Sequence, residues 1–146
     1  MKKKTTKPRG LRNHNPLNIR HTPGNAWQGL VGSDGAFCIF LDDSWGYRAA
    51  FRLLHTYNVR YRLYSVRDIV SRWAPPSDGN NTSAYIQRVC TITGLKPADT
   101  VTFSAGSPAA NARAKSVVRA MAMVENGCSA DMLPMSDIDK GFERAF

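Results

Sequence analysis

Apolar positions recur at the helical period in four stretches of this chain and alternate in one. Over residues 114–127, Val117, Val118, Met121 and Val124 fall at i, i+1, i+4 and i+7, the stripe of a helix that buries one side. Gly127 follows as the residue that can leave the helix with positive φ. Over 45–61, Tyr47, Ala50, Phe51, Leu54, Tyr57, Asn58 and Tyr61 share a face behind an Asp43 or Ser44 N-cap, which predicts the central packing helix. Ser65 and Asp68 form a capping-box pattern ahead of Ile69, Val70 and Trp73, and Pro75-Pro76 stops that helix. A polar turn over 77–83 leads to a stripe of Tyr85, Ile86, Val89 and Ile92 that ends at Gly94. Residues 95–108 are the longest connection, with room for one helical turn, and the 136–139 segment caps a short last helix running to Phe146.

The alternating stretch is different in kind. Phe37, Ile39 and Leu41 lie on one side of a predicted β-hairpin over 27–41, with Asp34-Gly35 at or near its turn. Before it, Pro16 among Asn13, Asn15 and Asn18 predicts an irregular loop whose side chains bond nearby backbone. The inventory is mainly α (α+β): helices around a central helix, with one small hairpin.

Composition changes this picture in three ways. At 146 residues and 42% hydrophobic, the chain can bury one core, so residues 11–146 read as a single domain behind a basic, flexible tail over 1–10 that holds five cationic side chains. Cys38, Cys90 and Cys128 are odd in number and widely spaced, which indicates neither a disulfide framework nor a zinc site; no metal and no cofactor are implied. No stretch has the length of a membrane span, and no apolar segment follows the basic start, so synthesis in the cytoplasm without a secretory signal is expected.

The net charge of +9 implies attraction to a polyanion. Nucleic acid, anionic lipid and the anionic polymers of a bacterial envelope all fit. The arginines between Arg48 and Arg72 interrupt aromatic positions in a helical pattern and read as a solvated helix face rather than a nucleic-acid surface.

Candidate chemistry centres on Glu125. The chain has only two glutamates, and the other, Glu143, is three residues from the C-terminus. Glu125 follows Met121 by four positions and Val117 by eight, so its carboxyl lies beside the apolar stripe, in the last turn of its helix. The negative end of the helix dipole and partial burial both disfavour the carboxylate there. An acid held protonated near neutral pH is the proton donor that glycosidic cleavage requires. The plainer reading is a glutamate that happens to end a helix. Asp34 has sufficient reason in its turn, and is the candidate second carboxylate if the hairpin overhangs the site.

The residues also carry a resemblance. Asn13-His-Asn15-Pro16-Leu-Asn18-Ile-Arg20, Trp27-Gln-Gly, Asp34-x-x-Phe37, Gly46-Tyr-Arg-Ala49, Arg72-Trp73-Ala-Pro75, Asn81-Thr82-x-x-Tyr85 and Glu125-Asn-Gly127 together resemble small phage and prophage cell-wall-degrading enzymes of the lysozyme and lytic transglycosylase superfamily. Members of that family are sometimes filed as virion structural proteins. Lytic transglycosylases carry a Glu-Ser-Gly-like helix end first; here the similar Glu125-Asn126-Gly127 comes last, which implies a circularly permuted lysozyme-like fold with the Glu125 helix beside the 15–20 loop.

The resemblance implies a peptidoglycan glycosidase, muramidase or lytic transglycosylase, with Glu125 as general acid. It further implies Asn15, Asn18, Asn81, Thr82 and Tyr85 as hydrogen-bonding partners of the sugar, and Tyr57 and Trp73 as stacking faces; loop stabilisation and core packing are the plainer roles of each. Peptidoglycan is the expected partner, reached by a monomer after release from the cell or from a phage particle. Two other classes stand beside this one: a virion or DNA-associated structural protein, and a wall endopeptidase on the same fold.

Overall fold

The computed structural model describes residues 7–146; the first six residues of the basic tail lie outside the described residues. In chain order the elements are α1 (Arg9–Arg12), β1 (Leu30–Ser33), β2 (Cys38–Phe40), α2 (Asp43–Val59), α3 (Val66–Trp73), α4 (Thr82–Thr93), α5 (Pro108–Asn126) and α6 (Met135–Ala145). Two short 3-10 turns, Pro76–Asp78 and Ala130–Met132, join them. Mainly helical structure with one two-stranded antiparallel sheet is therefore what the polar and apolar pattern specifies.

Helix starts follow local side-chain chemistry. Asp42, Ser65, Asn81 and Ser107 each accept a backbone N–H in the first turn of α2, α3, α4 and α5. Gly94 and Gly127 end α4 and α5 at φ 76° and 57°. α5 begins well ahead of the stripe read from sequence, because its first turns, from Pro108 to Arg113, are exposed or half-buried and have no apolar face to read. α6 differs too. It starts at Met135 after Pro134, with no side-chain cap, so Ser136 and Asp137 lie inside its first turn rather than before it.

Three further expectations need correction. Arg9 and Gly10, assigned to the tail, belong to α1, and Gly10 is buried. In β2 the alternation of Phe37, Ile39 and Leu41 on one side holds, and the core side is the other one, Cys38 and Phe40, both essentially inaccessible, whereas Leu41 is 63% exposed. The 95–108 connection is not helical. It runs extended against α3, with Val101 N–H donating to the Tyr64 carbonyl at 2.8 Å, and buries Val101 and Phe103 in the core. Lastly, α5 packs against α1, α2, α4 and α6, while α2 lies chiefly on α6, so the central position falls to α5.

The core fills the space between α5 and its neighbours with Phe51, Leu54, Val89, Phe103, Val117, Val118, Met121 and Ile138, all with no accessible surface. α2 and α6 approach closely at Gly141, where a Cβ would stand 2.4 Å from the Cβ of Tyr47.

The loop after α1 is held equally tightly. Asn15 is fully buried; its amide nitrogen donates to the carbonyls of Ile19 and Cys38 at 2.9 and 3.0 Å, and its oxygen accepts from Ile19 N–H at 2.9 Å. Gly46 on α2 lets the loop close in, since a Cβ there would lie 2.3 Å from the His14 carbonyl oxygen. From the other side, the Asn126 amide donates to the Pro16 carbonyl at 2.8 Å. The end of α5 and the asparagine-proline loop are thus adjacent.

Candidate functional site

Glu125 sits where three elements converge. Its own helix, α5, brings it to the last turn; α4 brings Tyr85, whose hydroxyl donates to Oε2 at 2.9 Å; the loop brings Asn18, whose amide donates to Oε1 at 3.1 Å and to the Glu125 carbonyl at 3.3 Å. Asn18 has φ 53°, a left-handed conformation that asparagine tolerates better than most residues. That conformation is what turns its amide towards the helix end.

The electrostatics of this carboxyl are a contest. Burial raises its pKa above the ordinary glutamate value, and the hydrogen bonds from Asn18 and Tyr85 pull the other way, with smaller contributions from Trp73 and Arg20. Burial wins. The result is a glutamic acid biased towards its protonated form, held in one orientation by two side-chain donors. Tyr85 is itself pushed well above the ordinary phenol value, first by burial and then by the neighbouring Glu125.

The carboxyl opens on a pocket of about 390 Å³. Asn18 and Arg20 from the loop, Trp27, Phe37 from the hairpin, Tyr57 from α2 and Trp73 from α3 line it, together with Asp78 and Asn80. Tyr57 and Trp73 meet edge to face with centroids 6.1 Å apart, and the Arg72 guanidinium lies over the Tyr57 ring at 5.4 Å, so the aromatic wall is braced from behind. Aromatic faces beside amides and a carboxyl of raised pKa form a surface suited to a sugar ring.

The residues implied by the resemblance divide here. Asn18, Tyr57, Trp73 and Glu125 meet in this pocket, and Tyr85 touches the acid from behind. Asn15 does not reach the pocket: its polar atoms are spent on the backbone of Ile19 in the loop and Cys38 in β2. Thr82 is also buried, its hydroxyl donating to the Ala74 carbonyl at 2.6 Å, and it fastens α4 to the end of α3. Asn81 caps α4 and lines a neighbouring pocket instead.

Asp34 is not a partner of Glu125. It is absent from the pocket wall, and its Oδ2 accepts from Arg9 Nε at 2.6 Å and from the Asn13 amide at 2.9 Å. Its Oδ1 accepts the backbone N–H groups of Ala36 and Phe37 at 3.0 and 2.8 Å. Arg9 and these donors hold its carboxyl far below the usual aspartate range. The turn therefore accounts for this residue completely, and its catalytic role is withdrawn.

The carboxylate that does share the pocket with Glu125 is Asp78, on the 3-10 turn after Pro75-Pro76. Sequence reading treats 77–83 only as polar turn; a proline-stopped helix placing Trp73 and Asp78 a turn apart is the signal that could have found it. Arg20 enters the sequence reading only as part of a resembling motif, and Trp27 and Phe37 also as parts of the predicted hairpin. Among the described residues no group of three or more His, Cys, Asp or Glu side chains could hold a metal ion. Nor is any helix among them long and apolar enough to cross a membrane.

Comparison with known proteins gives a phage relative. The chain is 38% identical over 142 residues to a protein named Protein P5 of Pseudoalteromonas phage PM2, an alignment that covers 94% of this chain and 82% of the phage protein. No family model matches the chain.

Proposed function

The chain belongs to the same family as Protein P5 of Pseudoalteromonas phage PM2, and from that premise and the geometry around Glu125 we propose that it is a glycosidase that cleaves the glycan backbone of bacterial peptidoglycan. The observation that carries this reading is a single one: a glutamic acid with a raised pKa, oriented by Tyr85 and Asn18, facing an aromatic-lined pocket. The arrangement of Glu125 helix against asparagine-proline loop also agrees with a permuted lysozyme-like domain.

In this mechanism the sugar lies against Tyr57 and Trp73, and Glu125 gives its proton to the glycosidic oxygen as the bond to the anomeric carbon breaks. Asn18 and Tyr85 then stabilise the carboxylate that forms, which is when their hydrogen bonds are strongest. With Asp34 held in its turn, two groups remain to meet the oxocarbenium-like centre. The substrate's own N-acetyl oxygen can bond to the anomeric carbon and then be displaced by the sugar's 6-hydroxyl, whose proton returns to Glu125, to give an anhydro sugar; water that loses its proton to Asp78 as it adds to the anomeric carbon gives a reducing sugar.

Mass spectrometry of soluble fragments from purified peptidoglycan tests the proposal. Anhydro or reducing disaccharide ends are expected from the native protein and none from Glu125→Gln. New free amines without glycan cleavage would turn the reading to an endopeptidase, and an unaltered wall would end it. The net charge of +9 favours one second reading, a DNA-associated virion protein. Its mark is DNA binding that weakens steeply with salt while the wall stays intact.

A further inference from the structure

A second pocket, of about 600 Å³, adjoins the Glu125 pocket, and the two share Asn80. Tyr85 links them, since it lines the second pocket and its hydroxyl donates to Glu125 Oε2 at 2.9 Å. What the second pocket presents differs sharply from the first. Its lining has one charged side chain, the exposed Arg88, and no carboxylate; its floor is Ala84, Met123 and Val124. Among the described residues no carboxylate pairs with Arg88. The start of α4, where Asn81 spends its side-chain oxygen on the Ala84 N–H, turns the positive end of a twelve-residue helix to the same space.

We infer that this pocket is a subsite for the acidic peptide branch of the glycan, with Arg88 taking a peptide carboxylate and the apolar floor taking its alanyl and aliphatic portions. The inference rests on the glycosidase reading, since it needs a sugar chain seated at Glu125. The chemistry argues for a peptide over a further sugar. Sugar subsites need ring faces and dense neutral hydrogen-bonding groups, and this pocket has no Trp or Phe, while its one aromatic residue, Tyr85, is buried. A planar guanidinium beside methyl and methylene groups fits a short peptide with free carboxylates, and guanidinium can hold a carboxylate through two parallel hydrogen bonds. Every second sugar of peptidoglycan bears such a branch, so a chain seated at the acid must put one near a neighbouring position.

The test uses Glu125→Gln, which binds without turnover, and two soluble ligands: a wall disaccharide that carries its stem peptide and the same disaccharide without it. Affinities are measured by calorimetry, and backbone amide shifts at Gly127, Cys128 and Ser129 report on the second pocket. The peptide-bearing ligand is expected to bind about tenfold more tightly and to move those amides. Adding Arg88→Ala should erase that preference, with each variant's affinity for the peptide-free disaccharide as its baseline, and Arg88→Lys should restore part of it. Equal binding of the two ligands, or a preference that survives Arg88→Ala, overturns the subsite and leaves the glycosidase reading standing. Failure of both ligands to bind, alongside a wall left intact by the native protein, overturns the two together.

Discussion

Glu125 and Asp34 are both acids set at the end of a regular element, and the structure treats them in opposite ways. Glu125 closes α5 beneath Tyr85 and Asn18, half-buried, where loss of water outweighs two side-chain hydrogen bonds and its pKa rises. Asp34 closes β1 at the surface, where Arg9, Asn13 and two backbone N–H groups satisfy both oxygens and its pKa falls. Asp34 has four donors, one of them a guanidinium, against two side-chain donors for Glu125, and desolvation widens the difference. A carboxyl for which loss of water outweighs its donors is biased towards the protonated form, and one whose donors include a guanidinium is held ionised as a staple of its turn.

The largest effect expected from this contrast is in activity. Glu125→Gln should lower glycan cleavage by about a thousandfold or more, the range of a lost general acid, while Asp34→Asn keeps the native rate per folded molecule. Fragment release from purified wall measures both, and comparable losses in the two would break the contrast. Next comes Gly10→Ala. A Cβ at Gly10 would lie 2.5 Å from Asn126 Oδ1, 2.7 Å from Asn18 Oδ1 and 2.9 Å from the Asn15 carbonyl oxygen, so the loop must move away from the end of α5. Overpacking of this kind costs about 1–3 kcal/mol, read as a lower denaturation midpoint, and the displaced Asn18 should lower cleavage too.

Tyr85→Phe is a smaller and sharper change. It removes a donor that favours the carboxylate, so the pKa of Glu125 rises further and the alkaline limb of the pH profile moves to higher pH. The rate should fall by about tenfold as the developing carboxylate loses a hydrogen bond. A limb that moves to lower pH would contradict the contest described at this site.

The smallest effects are in stability, and their signs differ. The stability that Glu125 contributes is present below the unfolded carboxyl value and lost as pH rises through the raised folded value. Glu125→Gln avoids that loss, so its thermal midpoint should match or exceed the native one at neutral pH, with the gap closing in acid. Asp34 runs in reverse: its contribution is present above the unfolded value and lost as pH falls towards the depressed folded one. Asp34→Asn should therefore melt below the native protein at neutral pH and converge with it in acid. Thermal melts of the two variants across pH settle both.

The legible parts of this protein are those whose cause lies within a few residues. Ser65 before Asp68, Pro75-Pro76, Gly94 and Gly127 set helix limits within a few residues and act as the local pattern predicts, whereas the cap of α2 is Asp42 rather than Asp43 or Ser44, which lie inside the helix. The alternation of Phe37, Ile39 and Leu41 marks one side of β2, and which side is buried is chosen by α2, which lies against the strand. Asn15 and Thr82 were indistinguishable from Asn18 in sequence. Only the fold shows that the first two turn inward to carbonyls and the third turns outward to the acid.

The amino-acid order alone determined a mainly helical chain with one hairpin, and singled out one glutamate at the end of an apolar stripe. Tertiary structure decided that this glutamate faces a pocket, that Tyr85 and Asn18 hold it across 40 and 107 residues of chain, and that Asp78 rather than Asp34 shares its space. The division has a physical reason. Caps and periodicity act over a turn of backbone and are written in neighbouring letters, whereas the pKa of a carboxyl is set by how much water its surroundings exclude, and those surroundings are assembled from every part of the chain.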